Sequence, residues 1–348
     1  MTFEKVKWGE VLSIKNGKNQ KAVENPYGQY PIYGSGGVMG YADDYLCEAG
    51  TTIIGRKGSI NNPIFVKEKF WNVDTAFGLQ AGKSLDEKYL YYFCKTYNFL
   101  MHNKATTLPS LTKADLLNIQ IPLPPLATQK KIAAILDAAD AHRQKTKQLL
   151  AKYDELAQSI FLDMFGDPVT NPKGWKKVKL GTVTKMKAGK FVPASEIFSS
   201  PSDIMYECYG GNGLRGYVNS YTHNGDFVLI GRQGALCGNV KLVRGVFHAT
   251  EHAIVCSPKK KYETMWLYFL LDYLNLNKYA TGAAQPGLNV GKLVEIEIVL
   301  PSHDLQRQFV ERFNLIEAQK VHSQQGLDQS TNLFNGLLQK AFKGELVE

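Results

Sequence analysis

The feature that most constrains this chain is that its pattern occurs twice. Val6-Lys7-Trp8-Gly9, followed by Gly17-Lys18, returns 172 residues later as Val178-Lys179-Leu180-Gly181, followed by Gly189-Lys190. Tyr33-Gly34-Ser35-Gly36-Gly37 with Gly40-Tyr41 returns 176 residues later as Tyr209-Gly210-Gly211-Asn212-Gly213 with Gly216-Tyr217. Ile54-Gly55-Arg56-Lys57-Gly58 returns as Ile230-Gly231-Arg232-Gln233-Gly234 at the same offset of 176, and residues 111–124 return as 288–301 at an offset of 177. A nearly constant offset means two copies of one architecture. At 348 residues, each copy is large enough to bury a core of its own.

Within each copy the texture changes once. The first part is rich in Gly, Tyr, Val and Ile, with short runs such as Thr51-Thr52-Ile53-Ile54 and Phe227-Val228-Leu229-Ile230 broken by turn signals such as Asn25-Pro26 and Asn224-Gly225. That pattern predicts a twisted, mostly antiparallel β domain. Residues 86–100 and 262–275 space their aromatic and aliphatic side chains by three and four, which predicts short helices. After Pro122-Leu123-Pro124-Pro125, glycine vanishes until Gly166.

There, apolar residues fall at Ile132, Leu136, Ala139, Leu150, Tyr153, Ala157, Ile160 and Met164, the steps of a heptad seam. Adding 177 gives Phe309, Phe313, Ile316, Leu327, Ser330, Phe334, Leu337 and Ala341. Both seams turn polar in the middle, at Arg143 with Thr146 and at Lys320 with Ser323. A helix of ~40 residues is ~60 Å long, and its apolar stripe needs a partner, for which the other copy is the natural candidate. The expected helix-pair interface is Ile132, Leu136, Leu150 and Ile160 against Phe309, Phe313, Leu327 and Leu337. The expected fold class is α+β: a tandem pseudo-twofold repeat of two mostly β domains joined by two long antiparallel coiled-coil helices. The expected segments are a β domain at 1–125, a helix at 126–166, a linker at 167–174, a second β domain at 175–301 and a second helix at 302–348.

Composition narrows the function classes. The longest wholly apolar run, residues 265–271, is far short of the ~20 residues a membrane span needs, and residues 1–7 lack the apolar core of a signal peptide. Five cysteines with no C-x-x-C pair argue against a disulfide framework and a thiolate zinc site, and fit a reducing cytoplasm. The net charge of +9 favours an acidic partner such as nucleic acid. It divides as 20 − 17 = +3 over residues 1–168 and 21 − 15 = +6 over 169–348, so neither half is a basic arm.

No catalytic constellation stands out. His248-Ala249-Thr250-Glu251-His252 matches H-x-x-E-H, but that zinc pattern requires a helix, and the flanking residues read as strand. The glycine loops at 34–40 and 210–216 lack the Gly-Lys-Ser/Thr of a phosphate loop. Asn25-Pro26-Tyr27 lacks the second proline of an adenine methyltransferase motif.

Taken in order and duplicated, the Tyr-Gly-x-x-Gly loops, the Ile-Gly-Arg-x-Gly strands, the Leu/Ile-x-Leu-Pro exits and the stretch from Ser159 through Gly166-Asp167-Pro168 to Trp175 resemble the specificity subunit of a type I restriction-modification system. The resemblance covers essentially the whole chain. It implies two target-recognition domains, each reading half of a split duplex DNA site, on helices that act as spacer and scaffold. It also implies partners: methyltransferase subunits, two of them, and restriction subunits for cleavage. S-adenosylmethionine, ATP and magnesium are then expected on those partners and no cofactor or metal on this chain, which acts in the cytoplasm.

The candidate DNA contacts follow the paired motifs. In the first half they are Lys18, Tyr33, Ser35, Gly36, Arg56, Lys57, Asn61 and Asn62; in the second, Lys190, Tyr209, Asn212, Arg215, Arg232, Gln233 and Asn239. Arg56 and Arg232 recur in both halves, which favours a shared backbone or structural role over base reading. Discrimination belongs where the halves differ: Asn61, Asn62, Gln233, Asn239, and Arg215 opposite Met39. Tyr33, Tyr41, Tyr209 and Tyr217 fit either DNA stacking or the core. The alternatives are a specificity subunit whose partner fuses methylation and cleavage, and a repeat-built protein adaptor with no DNA role.

Overall fold

The computed structural model describes residues 3–103, 109–234, 236–259, 261–282 and 286–347. The chain forms two compact units, one of residues 1–148 with 324–348 and one of residues 149–323. Each unit holds one β domain and the adjoining part of both long helices.

In the first unit a four-stranded antiparallel sheet runs in the order Leu12–Asn16, Ala76–Ala81, Thr51–Gly55, Ile64–Val66. Strand Thr51–Gly55 is buried along its whole length, which fits the run of four β-branched residues from Thr51 to Ile54 in place of polar alternation. A second sheet joins Gly37–Ala42 to Tyr30–Gly34 antiparallel, and Tyr30–Gly34 to Trp71–Asn72 in parallel. Lys5–Lys7 pairs with Gln120–Pro122, which brings the two ends of the domain together where the long helix begins.

The second unit repeats this plan. Its sheets are Thr184–Ala188, Ala253–Pro258, Phe227–Gly231, Val240–Val243, and Gly213–Val218, Tyr206–Gly210, Val246–Ala249, with Lys176–Lys179 pairing Glu297–Leu300. One short strand, His223–Asn224, is added at the edge of the second sheet. The domains are mostly antiparallel, as expected, with one parallel pair in each.

The short helices are Glu87–Thr96 and Thr264–Tyr273, each followed by a 3-10 turn, at Phe99–His102 and Leu276–Tyr279. Asp86 caps the first by accepting from the Lys88 and Tyr89 amides. The long helices are Leu126–Phe165 and His303–Lys343. In the first unit Ile132 and Leu136 share a core with Phe334, Leu338 and Ala341. In the second, Ala157, Phe161 and Phe165 share one with Phe309, Phe313 and Ile316. The start of each helix meets the end of the other, so the pair runs antiparallel.

The seam departs from a strict heptad. Ile132, Leu136, Phe309, Phe313 and Leu327 are buried, whereas Leu150, Ile160 and Leu337 are only half-buried. The buried residues are instead Phe161 and Leu338, each one position further on. From Ile132 to Ile160, as from Phe309 to Leu337, is 28 residues, or four heptads. A straight α-helix drifts by ~20° per heptad, so the buried face widens toward the next residue over this length, while Met164 and Ala341, four heptads beyond Leu136 and Phe313, stay buried.

The polar middle is where the units divide, after Gln148 and after Ser323. Arg143 pairs with Asp140 and lies 4.4 Å over the Phe334 ring, while Lys320 pairs with Asp154 at 2.6 Å and Glu317 at 3.1 Å. The segment between the first helix and the second domain is an ordered turn. Asp167 accepts from the Val169 amide, Asn171 from the Trp175 amide, and the Trp175 indole donates to the Phe165 carbonyl.

Candidate nucleic-acid interface

The paired motifs form the same backbone device in each domain. The Tyr-Gly loops are hairpins whose register shifts by a bulge, between Ile32 and Tyr33 and between Cys208 and Tyr209. The Arg-x-Gly turns sit beside them. The Arg56 amide donates to Thr75 and the Arg232 amide to His252; Leu111 donates to the Arg56 carbonyl and Leu288 to that of Arg232. Gly58 donates to Pro109 and Gly234 to Pro286. Lys18 and Lys190 leave the first sheet on amides bonded to Asn72 and Ala249. The preceding Gly17 and Gly189 have no room for a side chain, since a Cβ there would lie 1.8 Å and 2.3 Å from backbone carbonyls.

On this common frame the candidate residues fall into two groups. Lys18, Gly36, Lys57, Asn62, Lys190, Asn212, Arg215 and Gln233 are exposed, and Ser35 is half-exposed on its hairpin turn. The others are tied into the fold. Tyr33 packs edge-on against Phe70 at 5.4 Å and Tyr209 against Phe247 at 5.9 Å. The Tyr209 hydroxyl donates to Glu207, and burial, with that bond and the nearby carboxylate charge, pushes its pKa up to about 12. The Arg56 guanidinium lies 5.7 Å over Phe77, and Arg232 donates to the Glu251 carbonyl at 3.4 Å. Asn61, although exposed, donates to the Asn98 side chain and accepts from the Phe99 amide, so its amide holds the 3-10 turn of its own domain. Asn239 is half-buried, its backbone closing the turn after Gly231.

The second domain gathers Asn212, Arg215, Gln233 and His252 around one cleft floored by Gly210 and Gly211. The elements that meet there span 40 residues of sequence; the hairpin and the His252 turn are joined by the parallel pairing of Tyr206–Gly210 with Val246–Ala249, and the Gln233 turn by the pairing of Phe227–Gly231 with Ala253–Pro258. The H-x-x-E-H motif is on this strand and the turn after it, not on a helix. His248 is buried with its ring nitrogens 3.1 Å and 3.2 Å from the Ser220 and Lys190 carbonyls, and His252 faces Glu251 at 3.0 Å. Among the described residues no group of His, Cys, Asp and Glu is arranged to hold a metal ion. All five cysteines are buried and unpaired, and burial raises their pKa values, that of Cys47 to about 11.

Two residues that position these domains escaped the sequence reading. Gln129 and Gln306, at equivalent places in the first turns of the long helices, are fully buried. Gln129 accepts from the Asp86 amide at 2.8 Å and donates to the Pro124 and Ser84 carbonyls. Gln306 accepts from the Glu263 amide at 3.1 Å and donates to the Pro301 carbonyl. Each glutamine ties the start of a long helix to the short helix of its domain. The available signal was a polar residue repeated at an offset of 177 inside an otherwise apolar helix face.

The sequence model of the Type I restriction modification DNA specificity domain matches residues 1–152 and 172–329. Among relatives, the type I restriction enzyme EcoprrI specificity subunit of Escherichia coli is 34% identical over 270 residues, 73% of this chain and 66% of its own length, so this chain spans just under two thirds of it. The MjaVIII specificity subunit of Methanocaldococcus jannaschii is 25% identical over 334 residues, 83% of this chain and 76% of its own. In fold the chain is similar to the crystal structure of a type I restriction-modification S subunit from M. genitalium, with a TM-score of 0.66 at 20% identity, covering 98% of this chain and 96% of that one. A structure described as underlying complex assembly and conformational transition of the type I R-M system gives a TM-score of 0.56 at 18% identity, over 99% and 98% of the two chains. With its duplicated motifs, duplicated backbone bonds and two matched domains, this chain belongs to the type I restriction-modification DNA specificity family.

Proposed function

We propose that this chain is the DNA-sequence-recognition subunit of a cytoplasmic type I restriction-modification complex and has no catalytic centre of its own. One observation carries the reading: the two β domains share their backbone bonds, while the exposed residues on the paired hairpins and turns differ, Met39 against Arg215, Gly36 against Asn212, Lys57 against Gln233. Two readers of different half-sites need a common frame with variable contacts. The exposed Lys18 and Lys190, which recur in both domains, fit phosphate contacts that set register, and the variable positions fit base edges. S-adenosylmethionine, ATP and magnesium belong to the methyltransferase and restriction partners.

In this reading the long helices serve as spacer and scaffold. Exposed apolar residues on them, Ile135 in the first unit and Leu156 and Leu315 in the second, support docking of methyltransferase subunits. The test is to map methylated adenines made by the chain with those subunits, and to measure duplex binding against salt. A split motif, with affinity falling steeply as salt rises, is expected; salt-insensitive or absent duplex binding favours the protein adaptor. Seven residues inserted beside both Thr146 and Ser323 add ~10.5 Å and keep the seam register. The unspecified spacer should then lengthen by about three base pairs, and an unchanged spacer rejects the ruler.

A further inference from the structure

Met39 and Arg215 stand at the same position of the paired hairpins and follow the same path. A Cβ added at Gly34 would lie 2.6 Å from the Met39 sulfur, and one added at Gly210 would lie 2.7 Å from the Arg215 Cδ. Each long side chain therefore folds back over the glycine that opens its hairpin turn. The platform is shared and only the head group differs, a thioether in one domain and a guanidinium in the other.

The Arg215 guanidinium makes no hydrogen bond or ion pair among the described residues. It lines the cleft with Asn212, Gln233 and His252, between the half-exposed Leu214 and Leu236. Glu251 holds the His252 ring at 3.0 Å, and behind the hairpin Thr250 is fully buried with its hydroxyl unpartnered. A phosphate-binding arginine would serve both half-sites equally and so would be expected in both domains. Arg215 occurs in one. A planar fork of donors with no acceptor matches O6 and N7 of guanine in the major groove.

We propose that Arg215 reads a guanine in the half-site bound by the second domain, with His252 held beside it by Glu251. This rests on the recognition role proposed above and adds the base and the residue. The probe is a library of randomised duplexes, selected with the full chain in complex with its methyltransferase subunits. The wild-type complex should enrich a split motif. Arg215→Ala should lose preference at one guanine of one half-site by about 5- to 150-fold, the range for a bidentate base contact, with the other half-site unchanged. Arg215→Lys keeps the charge but not the fork and should relax the same position while leaving the salt dependence intact. A uniform loss of affinity with the motif unchanged makes Arg215 a phosphate contact and overturns the proposal, as does relaxation at a base other than guanine. If the wild-type complex enriches no half-site, the recognition role itself falls, and this proposal with it.

Discussion

The two β domains reach one backbone through different cores. In the first, Trp8 packs against Phe93 and Phe99, and Tyr89 donates its hydroxyl to the Pro122 carbonyl at 2.9 Å. In the second, Leu180 replaces Trp8 and Trp266 replaces Tyr89, both fully buried. The helix pair differs as well. Its part in the second unit is a web of Phe161, Phe165, Phe309 and Phe313 around Phe269 of the short helix, with ring centroids 5.0–6.2 Å apart. Its part in the first unit is mostly aliphatic, Ile132, Leu136 and Leu338 around the ring of Phe334. Cores tolerate such exchange when volume and pattern are kept. Backbone bonds tolerate less, because a buried amide or carbonyl without a partner costs about 1–3 kcal/mol. The conserved element between the copies is therefore the hydrogen-bond plan, with packing identity free to vary.

The largest expected effect separates the domains altogether. Replacing residues 1–125 with the corresponding domain of a relative should rewrite one half-site of the methylated motif and leave the other intact. If both halves change, the domains do not read independently. Next in size are the helix cores. Phe309→Ala should cost about 3–5 kcal/mol, seen as a lower denaturation midpoint, because it empties the centre of the phenylalanine web. Leu136→Ala, in the aliphatic counterpart, should cost about 2–5 kcal/mol; a value near zero would remove that part of the helix from the core.

Smaller and more discriminating is the glutamine pair. Gln129→Ala and Gln306→Ala should each cost about 1–3 kcal/mol, with the loss larger at Gln129, which makes three hydrogen bonds against two for Gln306 among the described residues. Equal losses would mean that the bond to Ser84 contributes nothing. The smallest effect concerns charge. Asp272 and Lys95 occupy equivalent helix positions with opposite charge, and partial desolvation raises the carboxyl pKa of one and lowers the ammonium pKa of the other. With its folded pKa above the unfolded value, Asp272 destabilises least at acid pH, and its penalty grows as pH rises through the folded pKa. Lys95, with its folded pKa lowered, imposes a penalty at neutral pH that is relieved as pH rises past its unfolded value. Stability profiles should accordingly lose slope on the acid side in Asp272→Asn and on the alkaline side in Lys95→Gln. The reverse assignment would contradict the desolvation argument.

The repeat, the order of β domain and helix, the antiparallel helix pair and the polar interruption were all legible because each is a local or periodic signal. Offsets of 172 to 177 are visible in the string itself, and a period near 3.5 needs only a few turns to register. The same local reading placed the seam at Ile160 and Leu337, one residue short of Phe161 and Leu338, because the sequence carries the seven-residue repeat but not how far the helices supercoil to follow it.

Tertiary structure alone decided which residues stand together. Asn61 and Asn62 are neighbours in sequence and both exposed, yet among the described residues only the Asn61 amide is bound, to Asn98 and Phe99. Asn212, Arg215, Gln233 and His252 span 40 residues and meet only because Tyr206–Gly210 pairs in parallel with Val246–Ala249 and Phe227–Gly231 pairs with Ala253–Pro258. Gln129 and Gln306 read as ordinary helix polar residues until each is found closing backbone groups more than 40 positions upstream. Local periodicity is set by bond geometry along the chain, so it can be read residue by residue. Adjacency across sheets depends on strand pairing between distant segments, chosen by the energy of the whole core, and no single stretch of the sequence records it.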